Sequence, residues 1–148
     1  MATVKQLMGT KKGDANYTVD CNDTVLKALA IMAEANIGAV MVVESDKIIG
    51  IFTERDYSRK CELKGLSAKS TKVRDLMTEQ MITVTPETSL DQCMGLMKQY
   101  RIRHLPVIDH DKMVGMVSMR DAVDVLISER ESTIKGLENY ILGSGFAT

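Results

Sequence analysis

The sequence lacks several features that would assign it to a large class of proteins. No run of about 18 apolar residues is present that could cross a membrane, and no basic segment followed by an apolar one marks a secretory signal. The three cysteines, Cys21, Cys61 and Cys93, are odd in number and have no C-x-x-C spacing, which argues against a disulfide framework. We therefore expect a cytoplasmic protein that does not bind membranes.

An excess of charge of one sign is also missing. Lys and Arg number 19 and Asp and Glu number 20, so the net charge of the 148 residues is -1. Without a positive field, non-specific binding to a polyanion is disfavoured, and we expect no nucleic-acid partner. What the chain does have is 45% hydrophobic and 26% charged residues, a composition typical of a compact globular protein.

An internal repeat organises the chain. A shift of 65 positions aligns residues 17–56 with residues 82–121 without a gap, and the paired residues agree in kind. Upstream, residues 4–8 match residues 73–77 at an offset of 69, so the first repeat holds about four extra residues around 11–14. The sequence is therefore a duplication.

The hydrophobic period within each repeat predicts the same order of elements. A short strand at 17–19 or 81–84 precedes an amphipathic helix that follows Thr24 or Ser89. Two apolar runs joined by a polar turn then indicate a hairpin, at 39–43 and 48–52 in the first repeat. A second helix is predicted to start at Thr53 or Ser118, which makes each repeat β-α-β-β-α.

The duplication predicts an α+β fold built from two repeats. A unit of about 60 residues buries only about 60% of its unfolded surface, so one repeat would be marginally stable alone. We expect the two to pack sheet to sheet as a pseudo-twofold pair with a C-terminal helix. The predicted boundaries are 1–63 for repeat 1, 64–72 for a linker, 73–126 for repeat 2 and 127–148 for a C-terminal helical extension and tail.

The C-terminal helix carries an apolar seam with alternating four- and three-residue steps. Arg130 is the polar exception in this seam. Two interpretations stay open at this point: the seam lies on its own sheet, or it forms a dimer contact. The seam consists of Val123, Ile127, Ile134, Leu137 and Ile141.

Residues 50–56 and 115–121 share the pattern Gly-x-x-Ser/Thr-x-x-Asp. The Gly allows a ligand or backbone to approach a strand end, and the following helix begins with N–H groups that favour an anion. The carboxylate can accept hydrogen bonds from both ribose hydroxyls, while the hydroxyl side chain meets a phosphate. The alternative is a helix capping box. Two copies at equivalent positions, each with an Arg before the Asp, favour a ligand.

The repeat and its Gly-x-x-Ser/Thr-x-x-Asp ending resemble a pair of CBS domains, the adenosine-sensing module. The resemblance covers roughly residues 4–142, and the segments 37–40 and 103–107 stand where this family places its second-strand motif. The string at 50–60, Gly-Ile-Phe-Thr-Glu-Arg-Asp-Tyr-Ser-Arg-Lys, is similar to a subgroup of stand-alone two-repeat proteins in bacteria and plant organelles.

The resemblance implies a non-enzymatic regulatory module that binds an adenosine nucleotide (AMP, ADP, ATP or NAD) or S-adenosylmethionine, forms a disc-shaped homodimer and signals to an unknown downstream protein. Each cleft would combine the Asp motif of one repeat with strand residues of the other. One cleft would use Met116, Ser118 and Asp121 with Ile37 and Gly38, and with Arg103 and His104 near the phosphates; the other would use Ile51, Thr53 and Asp56 with Ile102 and Arg103.

The cationic residues around the motifs predict that the two clefts differ. Arg120 precedes Asp121, and a phosphate-bearing ligand is expected there, whereas Arg55, Arg59 and Lys60 are either a phosphate-facing cluster for a diphosphate such as ADP or NAD, or the solvated side of a helix. Met41 stands where repeat 2 has Pro106. His104 is either a phosphate contact or a core imidazole, since no second ligand at suitable spacing makes it a metal site.

Two other function classes compete with the nucleotide sensor. No Ser/His/Asp or Cys/His set, paired-carboxylate context or P-loop indicates catalysis, so an enzyme that uses Cys61 or His104 is disfavoured. The main alternative is a ligand-free dimeric interaction scaffold. A retained adenosine compound would distinguish the sensor from the scaffold.

Overall fold

The computed structural model describes residues 2–10 and 17–141. The extra residues around 11–14 and the end of the tail at 142–148 lie outside them. The described chain forms two compact units: the repeat-1 unit, residues 17–83, and the repeat-2 unit, residues 2–10 with 84–141. The α+β class expected from the sequence is confirmed, with a small sheet in each unit and a C-terminal helix.

The repeat-1 unit is built around a three-stranded sheet in the order β1-β2-β3. The first pair of strands is parallel and the second is antiparallel. Its helices cover a core that includes Val25, Val40 and Phe52, all fully buried. The elements are β1 (Thr18–Asp20), α2 (Val25–Ala35), β2 (Ala39–Glu44), β3 (Lys47–Thr53), α3 (Glu54–Asp56), which continues as a π-helix (Tyr57–Glu62), and α4 (Val73–Leu76).

The repeat-2 unit has the same plan with a two-stranded antiparallel sheet. Fully buried Leu90, Leu105, Val107 and Val117 belong to its interior. The elements are α1 (Val4–Thr10), α5 (Leu90–Tyr100), β4 (His104–Asp109), β5 (Lys112–Ser118) and α6 (Met119–Ile141).

Local sequence signals explain the hairpins and the helix starts. Ser45 and Asp46 both have positive φ, 49° and 66°, the backbone that a two-residue hairpin turn with matching twist requires. His110 and Asp111 repeat this geometry in the second hairpin. The hydroxyl of Thr24 caps α2 and that of Ser89 caps α5, as predicted.

The predicted strand at 81–84 is wrong except at its last residue. Only Val84 pairs in parallel with β4, through Val107. In repeat 1 the N–H of Met41 donates to the carbonyl of Tyr17 at 3.1 Å. The residue that corresponds to Met41 is Pro106, which has no N–H to donate, so this hydrogen bond cannot form and the strand shortens.

Each unit is completed by a short segment from elsewhere in the sequence. Residues 2–10, which come just before repeat 1, pack in the repeat-2 unit, and residues 73–83, which come just before residue 84, pack in the repeat-1 unit. In the repeat-2 unit the N–H of Val4 donates to the Thr88 carbonyl at 2.8 Å. In the repeat-1 unit the equivalent Val73 donates to the Asp23 carbonyl at 2.9 Å. The segment 64–72, expected to be a linker, lies within the repeat-1 unit, where its backbone accepts hydrogen bonds from the first amides of α2.

The apolar seam of α6 is exposed from Ile127 onward. Ile127, Ile134, Leu137 and Ile141 are each 50–59% exposed. The interpretation that the seam lies on its own sheet is therefore wrong for these residues. The described helices include none that is both long enough and apolar enough to cross a membrane.

Candidate functional site

In the repeat-1 unit the motif lies where β3 ends and α3 begins. The hydroxyl of Thr53 accepts a hydrogen bond from the Asp56 N–H at 3.0 Å, and the Asp56 carboxylate accepts one from the Thr53 N–H at 3.0 Å. Asp56 is only 8% exposed. The two side chains form the capping box that the spacing predicts as the alternative.

The repeat-2 unit has the same arrangement at the start of α6. Ser118 Oγ accepts from the Asp121 N–H at 3.1 Å, and Asp121 Oδ2 accepts from the Ser118 N–H at 3.4 Å. Capping is therefore confirmed in both repeats. It also fixes a hydroxyl and a carboxylate within one helical turn.

The expectation of free N–H groups at these helix starts is wrong for the first amides. The N–H of Glu54 donates to the Gly38 carbonyl at 3.1 Å, and the N–H of Met119 donates to the Arg103 carbonyl at 2.8 Å. The amides of the two motif aspartates bond to the cap hydroxyls. These bonds place Gly38 and Arg103 directly beside their motifs and leave fewer helix amides for an anion than the sequence predicts.

Strand pairing brings further predicted residues to each motif. His104 stands opposite Ser118 and Met116 opposite Pro106 in the β4/β5 pair. In the other unit, Ile51 stands opposite Met41. The combination of each Asp motif with strand residues of the other repeat stays a prediction. Within the two units, Ile102, Arg103, His104, Met116, Ser118 and Asp121 belong to the repeat-2 unit, and Ile37, Gly38, Ile51, Thr53 and Asp56 belong to the repeat-1 unit.

Cationic groups are distributed unevenly between the two motifs. The repeat-2 motif has exposed Arg103 and Arg120 and a half-buried His104. At the positions of Arg103 and His104, the first repeat has Gly38 and Ala39. Arg55 is half-buried and Arg59 is exposed. Lys60 is also half-buried and lies 3.0 Å from Asp56, so the two motifs differ in where their cationic side chains lie and not in having more of them at repeat 2.

The space beside each motif glycine is filled by protein. A Cβ on Gly50 would lie 2.9 Å from the Thr78 carbonyl oxygen and 2.8 Å from Met77 Sδ. A Cβ on Gly115 would lie 2.7 Å from Met8 Cε. Met8 and Met77 match in the duplication, so the offset of 69 was the signal that could have revealed these contacts. The glycines serve chain packing.

Two residues at the Asp56 motif were not anticipated in these roles. Thr78 Oγ1 donates to Asp56 Oδ1 at 3.1 Å, and Lys60 Nζ lies 3.0 Å from the same oxygen. Thr78 comes from a segment 22 positions away in sequence. Asp56 therefore has two bonding partners, Thr78 and Lys60, in addition to its capping partner Thr53.

Two of the cysteines, Cys61 and Cys93, have the environment of structural residues. Cys61 is fully buried, and burial raises the pKa of its thiol; burial also raises the pKa of Cys93. A raised pKa leaves little thiolate at neutral pH, the condition of a structural cysteine. Within residues 2–10 and 17–141, no group of three or more His, Cys, Asp or Glu could hold a metal ion.

Comparison with known proteins identifies the duplicated unit. The model of the CBS domain family matches residues 4–62 and 73–128. The chain is 47% identical over 149 residues to the mitochondrial CBS domain-containing protein CBSX3 of Arabidopsis thaliana, with 95% of this chain and 72% of the relative covered.

Solved structures share the fold. A putative signal-transduction protein with CBS domains from Burkholderia ambifaria is 46% identical with a TM-score of 0.83, covering 86% of this chain and 95% of that one. A CBS domain pair in complex with 5'-methylthioadenosine and S-adenosyl-L-methionine has a TM-score of 0.72 at 23% identity, covering 84% and 99%, and this likeness concerns the fold. With both halves of the duplication matched, the chain belongs to the CBS domain family and contains two CBS domains.

Proposed function

We propose that this CBS pair is a non-enzymatic regulatory module that binds an adenosine nucleotide and passes its ligand state to a partner protein. The ligand is AMP, ADP, ATP or NAD. The Ser118 and Asp121 side chains would bind the phosphate side and the ribose of the ligand, and Arg103 and His104 would bind phosphate.

One observation carries the proposal: in the repeat-2 unit the backbone of Arg103 and His104 lies at the same strand end as the Ser118 and Asp121 motif. His104 is paired with Ser118, and the Arg103 carbonyl accepts from the first amide of α6. A ribose offers two donors to a carboxylate, and a phosphate is bound best by guanidinium groups. These two chemistries occur together in a nucleotide.

The phosphate contact predicts a difference between AMP and adenosine. Hydrogen bonds to a charged group contribute about 1.5–3 kcal/mol each, so we expect AMP to bind about 10- to 100-fold more tightly than adenosine. Arg103→Ala should remove most of that advantage. Calorimetric titration of AMP, ADP, ATP, NAD and adenosine against both proteins measures it.

Lys112→Ala is the matched control, since it removes one positive charge at the opposite end of the strand that carries Ser118. It should leave the AMP-to-adenosine ratio unchanged. Equal affinity for adenosine and AMP in the wild type, or an Arg103→Ala protein that binds AMP normally, would contradict a phosphate-binding role.

The capping bonds favour one alternative, a ligand-free dimeric interaction scaffold, because they give both motifs a structural purpose. Mass spectrometry of protein purified without added nucleotide and then denatured distinguishes the two functions. A retained adenosine compound supports the sensor. Its absence, together with no thermal shift from any nucleotide, supports the scaffold.

We further propose a homodimer that uses the exposed seam of α6. Four large apolar side chains at 50–59% exposure form a stripe that a partner helix can cover. Full-length protein should therefore have the mass of two chains in light scattering. Truncation after Ser128 should lower that mass or the stability of the dimer.

The double change of Ile134 and Leu137 to Ser keeps the chain length and serves as the second variant for this test. Both residues are exposed, so each unit should keep its fold. A full-length protein that is monomeric at micromolar concentration would end the dimer proposal.

We place the protein in the cytoplasm, where its three unpaired, buried cysteines stay reduced. The mitochondrial relative makes an organellar matrix the alternative. Imaging of a fluorescent fusion with the full natural N-terminus distinguishes the two.

A further inference from the structure

The Asp56 carboxylate has most of its hydrogen-bonding capacity filled by its own unit. Oδ2 accepts from the Thr53 N–H at 3.0 Å. Oδ1 accepts from the Thr78 hydroxyl at 3.1 Å and pairs with the Lys60 ammonium at 3.0 Å. A carboxylate has about four lone-pair sites, and three are in use.

The Lys60 ammonium is equally committed. Besides Asp56, it donates to the Leu76 carbonyl at 3.0 Å and to Thr78 Oγ1 at 3.2 Å. An ammonium has three N–H donors, and these three acceptors match them. Lys60 therefore has no donor left for a phosphate in this arrangement.

Backbone pairing fixes the position of Thr78. Its N–H donates to the Ile51 carbonyl at 2.8 Å, and its carbonyl accepts from the Ile51 N–H at 2.9 Å. Gly50 makes room for this segment, as its missing side chain would meet the Thr78 carbonyl. The hydroxyl is thus held against Asp56 by the fold of the unit and not by a mobile loop.

The second repeat lacks both groups. By the offsets of 65 and 69, Lys60 corresponds to Val125 and Thr78 to Gly9. Neither residue has a side-chain hydrogen-bonding group. The two repeats therefore differ at these two positions, although both motifs retain the Ser/Thr and the Asp.

We infer that Lys60 and Thr78 are an internal lock that keeps an adenosine ligand out of the Asp56 motif, so that the chain binds such a ligand at the Asp121 site of the proposed function alone. This inference rests on the proposed function. The hydroxyl of Thr78 and the ammonium of Lys60 supply the donors that a ribose would bring. With one lone-pair site open, a ribose that brings two donors to Asp56 would have to displace at least one of these groups from a carboxylate that is 90% buried.

Equilibrium dialysis with radiolabelled AMP tests the lock by counting bound AMP per chain. We expect one AMP on the wild type, its loss in Asp121→Asn and its retention in Asp56→Asn. The double change of Lys60 to Val and Thr78 to Ala should raise the number to two. Lys64→Val, an equal loss of charge on an exposed side chain nearby, should stay at one.

The outcomes separate the lock from the proposed function. Two AMP on the wild type, or one that Asp56→Asn removes and Asp121→Asn keeps, would overturn the lock while the nucleotide function stands. A double variant that folds but still binds one AMP would also overturn it. If the double variant does not fold, the wild type and the two Asp→Asn proteins decide the result.

If no AMP binds to the wild type, the proposed function fails for this nucleotide. The lock is then supported only if the double variant gains one AMP that an added Asp56→Asn change removes. A double variant that binds none overturns the lock as well.

Discussion

Replacing Gly50 with alanine is expected to lower the free energy of unfolding by about 1–3 kcal/mol, as overpacking of a tight interior does. The new Cβ would lie 2.9 Å from the Thr78 carbonyl oxygen. That oxygen cannot move away easily because it accepts the Ile51 N–H at 2.9 Å. Urea unfolding followed by circular dichroism measures the loss.

Gly115→Ala is the matched control at the equivalent position of repeat 2. Its Cβ would meet only the Met8 side chain, whose terminal methyl lies at 2.7 Å and can rotate away. Alanine also restricts the unfolded chain, which offsets part of the cost. We expect a loss of about 1 kcal/mol or less. A larger loss at Gly115 than at Gly50 would contradict the packing explanation.

Replacing Asp121 with alanine should weaken AMP binding by about 10- to 100-fold, because a hydrogen bond to a charged acceptor contributes about 1.5–3 kcal/mol. The same change removes the Asp121 half of the capping box and leaves the Ser118 half, which costs about 1 kcal/mol of stability or less. Calorimetric titration with AMP and thermal unfolding measure the two effects separately.

Asp121→Asn distinguishes ligand binding from capping. The side-chain oxygen of the asparagine can still accept from the Ser118 N–H, and Ser118 remains the N-cap, so stability should be nearly retained. Its lost charge should still weaken AMP binding. If Asp121→Ala lowers the melting temperature and leaves AMP affinity untouched, the motif only caps the helix.

Most of the fold follows from local patterns that occur twice. The hairpins, the caps at Thr24 and Ser89 and the helix after Ser118 depend on neighbouring residues, so spacing was enough to predict them. The strand at 81–84 failed because its pairing depends on a distant residue. Pro106 has no N–H to donate to this segment. The repeat alignment shows that Pro106 replaces Met41, but it does not show that the Met41 N–H is the donor that holds the first strand.

In the candidate site, too, contacts between near neighbours in sequence were predicted and contacts between distant residues were not. Spacing predicted the bonds between Thr53 and Asp56 and between Ser118 and Asp121, since they join residues three positions apart. It did not predict that Lys60 and Thr78 meet at Asp56, because Thr78 reaches the motif through a strand contact 22 positions away. Contacts of that kind depend on how the chain closes each unit.

The packing of α1 in the repeat-2 unit has a consequence for synthesis on the ribosome. Every partner of the repeat-1 unit is present once residue 83 has emerged, whereas α1 needs residues 86–90 and the strands beyond them. At about 5–20 residues per second, α1 waits several seconds with the apolar side chains of Val4 and Leu7 uncovered. The helix α1 is therefore synthesised before repeat 1 but reaches its place only after repeat 2 has been made.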